Sequence, residues 1–174
     1  MITFRNCSWR DPFLWEVADQ PASRWNHEND GPVQYLADTP DGAWAEFLRH
    51  EEIVDEIDLA GVRRALWAID IDVDSLEAPA LPLATMTGDP STYPDCQAEA
   101  RRLRNSGASG IAVPSAALVA GSAAGYHICG GFQEGAPRDG RVYVLFGVQP
   151  DAVGWVIVDE GRPPVEILDR VRHF

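Results

Sequence analysis

Lysine is absent from this sequence of 174 residues, so all 14 of its basic residues are arginines. A Schiff-base lysine and the phosphate-binding lysine of a P-loop are therefore excluded. Acidic residues number 27, which gives a formal net charge of −13 at pH 7. Because binding to nucleic acid or to an anionic membrane needs a basic face, this balance argues against direct nucleic-acid binding.

Cysteine is also scarce, and long apolar runs are missing. Cys7, Cys96 and Cys129 are far apart, with no CxxC pair and no Cys/His cluster at zinc-finger spacing. Reduced thiols are the expectation for such a pattern. The first residues show no basic segment followed by an apolar one, and no run reaches 18 uncharged apolar residues. We therefore expect a cytoplasmic protein without a signal peptide or membrane span.

Several common catalytic motifs do not occur either. The sequence contains no GxSxG, no HExxH, no EF-hand loop and no GxGxxG after a strand. Asp70, Asp72 and Asp74 alternate at the end of an apolar segment. They could form a divalent-metal site, but a strand that runs into an acidic loop is the favoured interpretation, and we expect no metal. The glycine-rich residues 121–131 are interpreted as a flexible loop.

The residues that are present predict one globular domain over residues 1–174. The apolar fraction is 45%, enough for a sizeable core without disulfides. Helices are expected from Pro40 to about His50 or Glu52 and over 95–105, with Thr39 and Asp95 as their N-caps. Strands are expected over 2–6, 33–37, 65–73, 110–115, 142–149 and 154–160. Without regular β–α alternation, this mixture predicts an α+β fold.

Three segments have no regular structure in this interpretation. Residues 7–32 and the proline-rich residues 74–94 are predicted to be loops, and 119–140 to be irregular. The strands 142–149 and 154–160 are joined by Pro150 and Asp151, and we interpret them as a hairpin. Residues 164–174 would form a last strand or a short helix.

Five polar residues form a chemically coherent set: Arg5, Arg24, Tyr35, Glu46 and Ser115. Arginine forks bind diphosphates, an aromatic ring stacks on a flat heterocycle, and a carboxylate stabilises an oxocarbenium ion. Each residue also has an ordinary alternative. Glu46 could pair with Arg49 or His50 on a solvated helix face, and Ser115 could cap a helix. Tyr35 could be a core residue, and Arg24 could belong to a loop ion pair.

A family resemblance favours the functional interpretation. The segments FR at 4–5, SRWN at 23–26, GPVQYLADTPDGAWAEFLRH at 31–50 and GIAVPSAAL at 110–118 resemble the RES-domain family, which is named for an Arg, a Glu and a Ser. The order and spacing of these segments agree with the family pattern. The resemblance covers core motifs over 4–118, whereas the C-terminal strands over 142–174 diverge from it.

The resemblance implies a fold similar to ADP-ribosyltransferase toxins, with mixed β-sheets and flanking helices around a cleft for NAD. It implies a toxin of a toxin–antitoxin pair that cleaves the nicotinamide–ribose bond of NAD by hydrolysis or phosphorolysis. An ADP-ribosyltransferase acting on a macromolecule and a non-catalytic binding module remain alternatives. The cognate partner would be a helix-turn-helix antitoxin, and self-association is left open.

The same resemblance assigns roles to the five residues. Glu46 would be the catalytic carboxylate, with Arg24 and Ser115 completing the catalytic set. Arg5 and Arg24 would hold the phosphates or a ribose of NAD. Tyr35 would pack against the nicotinamide end, and Ser115 would hydrogen-bond near the nicotinamide ribose.

Overall fold

A seven-stranded mixed β-sheet organises the chain, as seen in a computed structural model that describes residues 1–17 and 20–174. Its seven strands are β1 (Ile2–Cys7), β2 (Val33–Ala37), β3 (Arg64–Asp70), β4 (Leu76–Glu77), β5 (Gly110–Pro114), β8 (Arg141–Phe146) and β9 (Val153–Gly161). Their order in the sheet is β4-β5-β8-β2-β1-β3-β9. Only the β4–β5 pair is parallel, and the other neighbours are antiparallel. A separate hairpin consists of β6 (Tyr126–Ile128) and β7 (Phe132–Glu134).

The helices are short. They are α1 (Pro40–His50), α2 (Glu56–Ala60), α3 (Leu83–Thr87) and α4 (Tyr93–Asn105), with 3-10 turns at Pro90–Thr92 and Val165–Arg170. Among the described helices, none has both the length and the apolar character that a bilayer crossing requires.

Helix α1 begins as its sequence predicts. Thr39 has extended backbone angles, and its hydroxyl accepts a hydrogen bond from the Gly42 amide at 3.0 Å. Pro40 occupies the first turn, where its missing N–H costs nothing. This cap fixes where the helix starts and therefore which face of α1 presents Glu46.

Helices α1 and α4 cover the same face of the sheet. In β2, Val33, Tyr35 and Ala37 alternate onto one face; Ala37 packs with α1, whereas Val33 and Tyr35 pack with α4. The opposite face contains Leu36 and other buried apolar residues of the sheet, against which the loop after β1 packs. One side of the sheet is therefore helical, and the other is covered by irregular chain.

The centre of the sheet is partly split between β1 and β2. These two strands share a single register pair, Phe4 with Ala37, whereas β1 and β3 pair along their full length from Ile2 to Cys7. Beyond Phe4, β1 and β2 separate. The separation leaves a gap beside the N-terminal half of β2. The main cavity of the protein lies at this gap.

The mixed α/β fold with flanking helices is confirmed, and several local predictions are corrected. The expected mixed β-sheets are one seven-stranded sheet and the small β6–β7 hairpin. Strand β3 ends at Asp70 instead of residue 73, and the irregular segment 119–140 contains the β6–β7 hairpin. Residues 74–94 were predicted to be loop, but their prolines begin helices, because Pro82 precedes α3 and Pro94 lies in the first turn of α4. Helix α4 consequently starts at Tyr93, so Asp95 is a first-turn residue and not the N-cap.

The predicted hairpin between the last two strands is wrong. Strand β8 lies between β5 and β2 inside the sheet, and β9 pairs with β3 at the far edge. The Pro150–Asp151 connection therefore links strands that are not neighbours. Residues 165–170 form a 3-10 turn, and an isolated bridge joins Val171 to Leu118.

Gly110 of β5 has no room for a side chain, and this gives a stability prediction. A Cβ at this position would lie 2.5 Å from the Val144 carbonyl oxygen and 2.8 Å from the Leu76 side chain. We expect Gly110→Ala to lower the free energy of unfolding by about 2–3 kcal/mol, because backbone cannot yield cheaply. Urea denaturation measures the loss. The matched control is Gly61→Ala, which would meet only Asp58 O at 3.4 Å; equal stability of the two variants would contradict this packing.

Candidate functional site

A cavity of about 460 Å³ opens on the helical side of the sheet, where β1 and β2 separate. This volume is in the usual range for small-molecule sites. Its walls include Arg5 of β1, Tyr35 of β2, Glu46 of α1 and the segment Ser23–Asn26. Four of the five residues singled out in the sequence, Arg5, Arg24, Tyr35 and Glu46, therefore line one cavity.

Glu46 is held by the segment after β5. Its Oε1 accepts a hydrogen bond from the Ser115 hydroxyl at 2.6 Å and a longer one from the Ala117 amide at 3.3 Å. Among the described residues, no ion pair joins Glu46 to Arg49 or His50, so the solvated-face alternative does not describe this carboxylate. These two hydrogen bonds fix the orientation of the Glu46 carboxylate at the cavity wall.

Ser115 lies behind Glu46 and not on the wall of this cavity. It is buried, and its hydroxyl accepts from the Leu118 amide at 3.0 Å while it donates to Glu46. The serine therefore stabilises the turn after β5, although no helix begins there. Ser115 therefore contacts the Glu46 carboxylate directly and reaches the cavity only through it.

Tyr35 anchors the SRWN segment. Its hydroxyl lies 2.5 Å from the Ser23 hydroxyl, accepts from the Trp25 amide at 3.0 Å and donates to Asn26 Oδ1 at 3.0 Å. Burial raises the pKa of Tyr35, so the phenol stays protonated and available as a donor. The ring lines the cavity while the hydroxyl fixes the loop that carries Arg24.

Arg24 is buried, with 7% of its surface exposed. It donates to Gly88 O at 2.7 Å and to Thr92 Oγ1 at 3.2 Å, with a longer contact to Thr85 O, and its guanidinium lies 4.7 Å from the Tyr93 ring centroid. All of these partners are neutral. No carboxylate of the described residues lies within 4 Å of Arg24.

Arg5 occupies the other side of the gap. Its Nη1 donates to Gln34 Oε1 at 2.7 Å, which bridges β1 and β2 beyond their last pair. Burial is the main cause that lowers the pKa of Arg5, and the charge of Arg64 acts in the same direction. Arg64 also lines the cavity, donates to Asn6 Oδ1 at 2.7 Å and lies over the Phe47 ring.

Arg49 is a cavity residue that sequence reasoning missed. It is 4% exposed and donates to the carbonyls of Ala116, Arg172 and Gly88. Its guanidinium stacks 4.2 Å from the Phe174 ring centroid. The signal in the sequence was its position one helical turn after Glu46, which was considered only for the alternative of a surface ion pair with that residue.

The cavity concentrates positive charge within an acidic chain. Arg5, Arg24, Arg49 and Arg64 line it, against two carboxylates, Glu46 and Glu51. Because the whole chain has a net charge of −13, this local excess of four cations over two anions is the reverse of the average. A cavity with this charge balance favours an anionic ligand over a cationic one.

Gly42 lies where α1 contacts the end of β2. A Cβ there would lie 3.1 Å from the Ala37 side chain and 3.0 Å from Thr39 Oγ1. The glycine therefore allows α1 to approach β2 closely. Elsewhere in the described residues, no group of three His, Cys, Asp or Glu side chains, including Asp70, Asp72 and Asp74, could hold a metal ion.

A split mixed sheet with helices on one face and a cationic cavity at the split defines the class of fold. Residues 5–166 match the family model described as the RES domain. The chain therefore belongs to the RES domain family.

The fold is similar to that of a chain in a solved complex. A chain of the M. tuberculosis MbcT–MbcA toxin–antitoxin complex superposes with a TM-score of 0.56 at 18% sequence identity. The superposition covers 91% of this chain and 84% of that chain. Among curated proteins, none matches the chain.

Proposed function

We propose that this protein is the toxin of a toxin–antitoxin pair and that it consumes NAD by cleaving the bond between nicotinamide and ribose. The observation that carries the proposal is one carboxylate, Glu46, held by Ser115 beside a cavity in which arginines outnumber carboxylates. NAD carries a negative charge that the arginines can bind and develops a positive charge that Glu46 can stabilise. Its diphosphate is anionic, and its nicotinamide ribose becomes cationic as the bond breaks.

The chemistry needs little from the protein beyond placement and charge. The bond between C1′ and the ring nitrogen breaks, and both electrons leave with nicotinamide, whose nitrogen is already cationic, so no general acid is required. A positive charge develops on the ribose, and a nearby carboxylate lowers its energy. In hydrolysis, a water oxygen then bonds to C1′ and releases one proton to solvent. Glu46 is the group proposed to stabilise the cation.

The remaining residues bind and orient the substrate in this proposal. Arg24 and Arg5 contact the phosphates or a ribose, since arginine forks bind such oxygens bidentately. The Tyr35 ring packs against the nicotinamide end. Ser115 acts through Glu46, because its hydroxyl donates to the carboxylate and lies outside the cavity wall; in this structure it is a positioning residue.

A cognate antitoxin is part of the same proposal. It is supported by the fold shared with a chain of a toxin–antitoxin complex. We propose that the antitoxin covers the cleft between Arg24 and Glu46. Since the chain has a net charge of −13, any operator-binding surface would belong to that partner. Measurable DNA binding by this chain alone at physiological salt would contradict that division of roles.

The test is incubation of purified protein with NAD labelled in its adenosine portion. Loss of NAD with release of nicotinamide and free ADP-ribose, or its phosphate, is the expected result. Label transferred to protein or nucleic acid would identify an ADP-ribosyltransferase instead. Unchanged NAD would leave the chain as a non-catalytic member and would contradict the proposal.

Ser115→Ala tests the positioning role of the serine. We expect kcat to fall about tenfold with KM nearly unchanged, because the variant keeps the charge of Glu46 but loses the hydrogen bond at 2.6 Å that orients it. Steady-state kinetics of NAD loss measure both constants. Ser109→Ala, which removes an exposed hydroxyl just before β5, is the matched control. A rise in KM with unchanged kcat would assign Ser115 to substrate binding.

A further inference from the structure

Two guanidinium groups share one acceptor at the edge of the cavity. Nη2 of Arg24 donates to Gly88 O at 2.7 Å, and Nη2 of Arg49 donates to the same oxygen at 3.0 Å. The two cations are therefore close together. Burial lowers the pKa of Arg49, and the charge of Arg24 lowers it further, as expected for like charges in a partly dehydrated place.

No carboxylate of the described residues forms an ion pair with Arg24 or Arg49, although Glu46 acts on Arg49 and Asp89 on both arginines from a longer distance. Buried cations are normally paired, because removing a charge from water costs several kcal/mol. The direct contacts of these two adjacent buried arginines are with carbonyls, a hydroxyl and aromatic rings, so a bound anion would stabilise them.

Both guanidinium groups also retain donors. A guanidinium has five N–H donors. Arg49 uses Nη1 for the carbonyls of Ala116 and Arg172 and Nη2 for Gly88, so no hydrogen bond of the described residues uses its Nε–H. Arg24 donates through Nη1 and Nη2 and also interacts with the Cys96 thiol, which leaves at least one N–H of its guanidinium without a partner in the described part of the chain. Both residues line the cavity.

We propose that Arg49, together with Arg24, binds the diphosphate of the dinucleotide substrate. This inference rests on the proposed function, since it assigns a further residue of that site. Arg49 lies three residues after Glu46 on α1, so the two side chains project from neighbouring positions of one helix. The pair therefore places the diphosphate within one helical turn of the carboxylate that acts on the ribose.

The position of Arg49 is fixed before any ligand binds. Three carbonyls from three separate segments and the Phe174 ring hold its guanidinium. A prearranged fork loses little side-chain entropy on binding, which favours a planar, bidentate contact with phosphate oxygens. Lysine would keep the charge and lose this fork.

The experiment measures NAD binding in a Glu46→Gln background, where turnover is expected to be low. Adding Arg49→Lys should weaken NAD binding about tenfold, because one charge-assisted fork is lost. It should also weaken competition by inorganic pyrophosphate by a similar factor, which a purely structural role would not do. The matched control is Arg162→Lys, the same change at an exposed position, with binding within about twofold of the parent.

The outcomes separate the two proposals. Equal NAD and pyrophosphate binding with and without Arg49→Lys, in folded proteins, would overturn this inference and leave the proposed function intact. No NAD binding in the Glu46→Gln protein and no turnover in the wild type would overturn both. If Arg49→Lys fails to fold, Phe174→Ala decides. It removes the ring beneath the guanidinium at a half-exposed site, and unchanged NAD binding there would overturn the inference.

Discussion

Replacement of Glu46 by glutamine should reduce NAD cleavage about 100- to 1000-fold while the protein stays folded. Glutamine has nearly the same shape and helix propensity, and its side-chain oxygen can still accept from the Ser115 hydroxyl. What is lost is the negative charge beside the developing ribose cation. The rate of NAD loss measures the effect, and a thermal melt confirms the fold.

Glu56→Gln is the matched control for this variant. Glu56 is an exposed acid in the first turn of α2, and its neutralisation should leave NAD cleavage unchanged. If Glu46 only stabilises the folded chain, Glu46→Gln should lower the free energy of unfolding by about 1 kcal/mol and leave the rate of NAD cleavage unchanged.

Replacement of Arg24 by alanine should raise the KM for NAD about 10- to 100-fold. Hydrogen bonds to a charged group contribute about 1.5–3 kcal/mol, which corresponds to this range. The structure adds a second expectation. Arg24 also donates to Gly88 O and Thr92 Oγ1, so the variant should unfold at a lower temperature as well.

Two further variants separate binding from structure. Arg24→Lys keeps the charge and should lie between wild type and alanine in KM, because lysine cannot form a bidentate fork. Arg63→Ala removes an exposed arginine that also donates to main-chain carbonyls, and its KM should equal that of the wild type. A normal KM in folded Arg24→Ala would remove Arg24 from the substrate site.

Local signals in the sequence predicted the elements that carry the site. Thr39 and Pro40 fixed the start of α1, and the apolar VQYLA segment fixed β2, because caps and apolar runs act within a few residues. A strand was predicted over 110–115 for the same reason; the observed strand is Gly110–Pro114, and Ser115 follows it directly. The contact between Glu46 and Ser115 joins residues far apart in the chain, so no local signal predicts it; their chemistry and the family resemblance grouped the two residues.

Long-range pairing explains the main error in the fold. Strands β8 and β9 are neighbours in sequence and are joined by a turn-forming Pro-Asp pair, which is the usual local signal for a hairpin. In the sheet, β8 is buried between β5 and β2, whereas β9 is at the edge beside β3. Their partners come from other parts of the chain, so no local pattern reports the pairing.

Arg49 shows why the cavity could not be completed from the sequence. An arginine three residues after a glutamate on a helix is the ordinary spacing for a surface ion pair. The folded chain instead brings Gly88, Ala116 and Arg172 around its guanidinium. These carbonyls come from irregular segments, whose positions depend on tertiary packing.

The most direct test of the central claim is a time course of nicotinamide release from NAD by the purified wild-type protein beside folded Glu46→Gln. Nicotinamide should accumulate in step with NAD loss in the wild type and be about 100- to 1000-fold slower in the variant. Equal rates in the two folded proteins, or no release by the wild type, would contradict the assignment of Glu46 as the catalytic carboxylate of an NAD-cleaving enzyme.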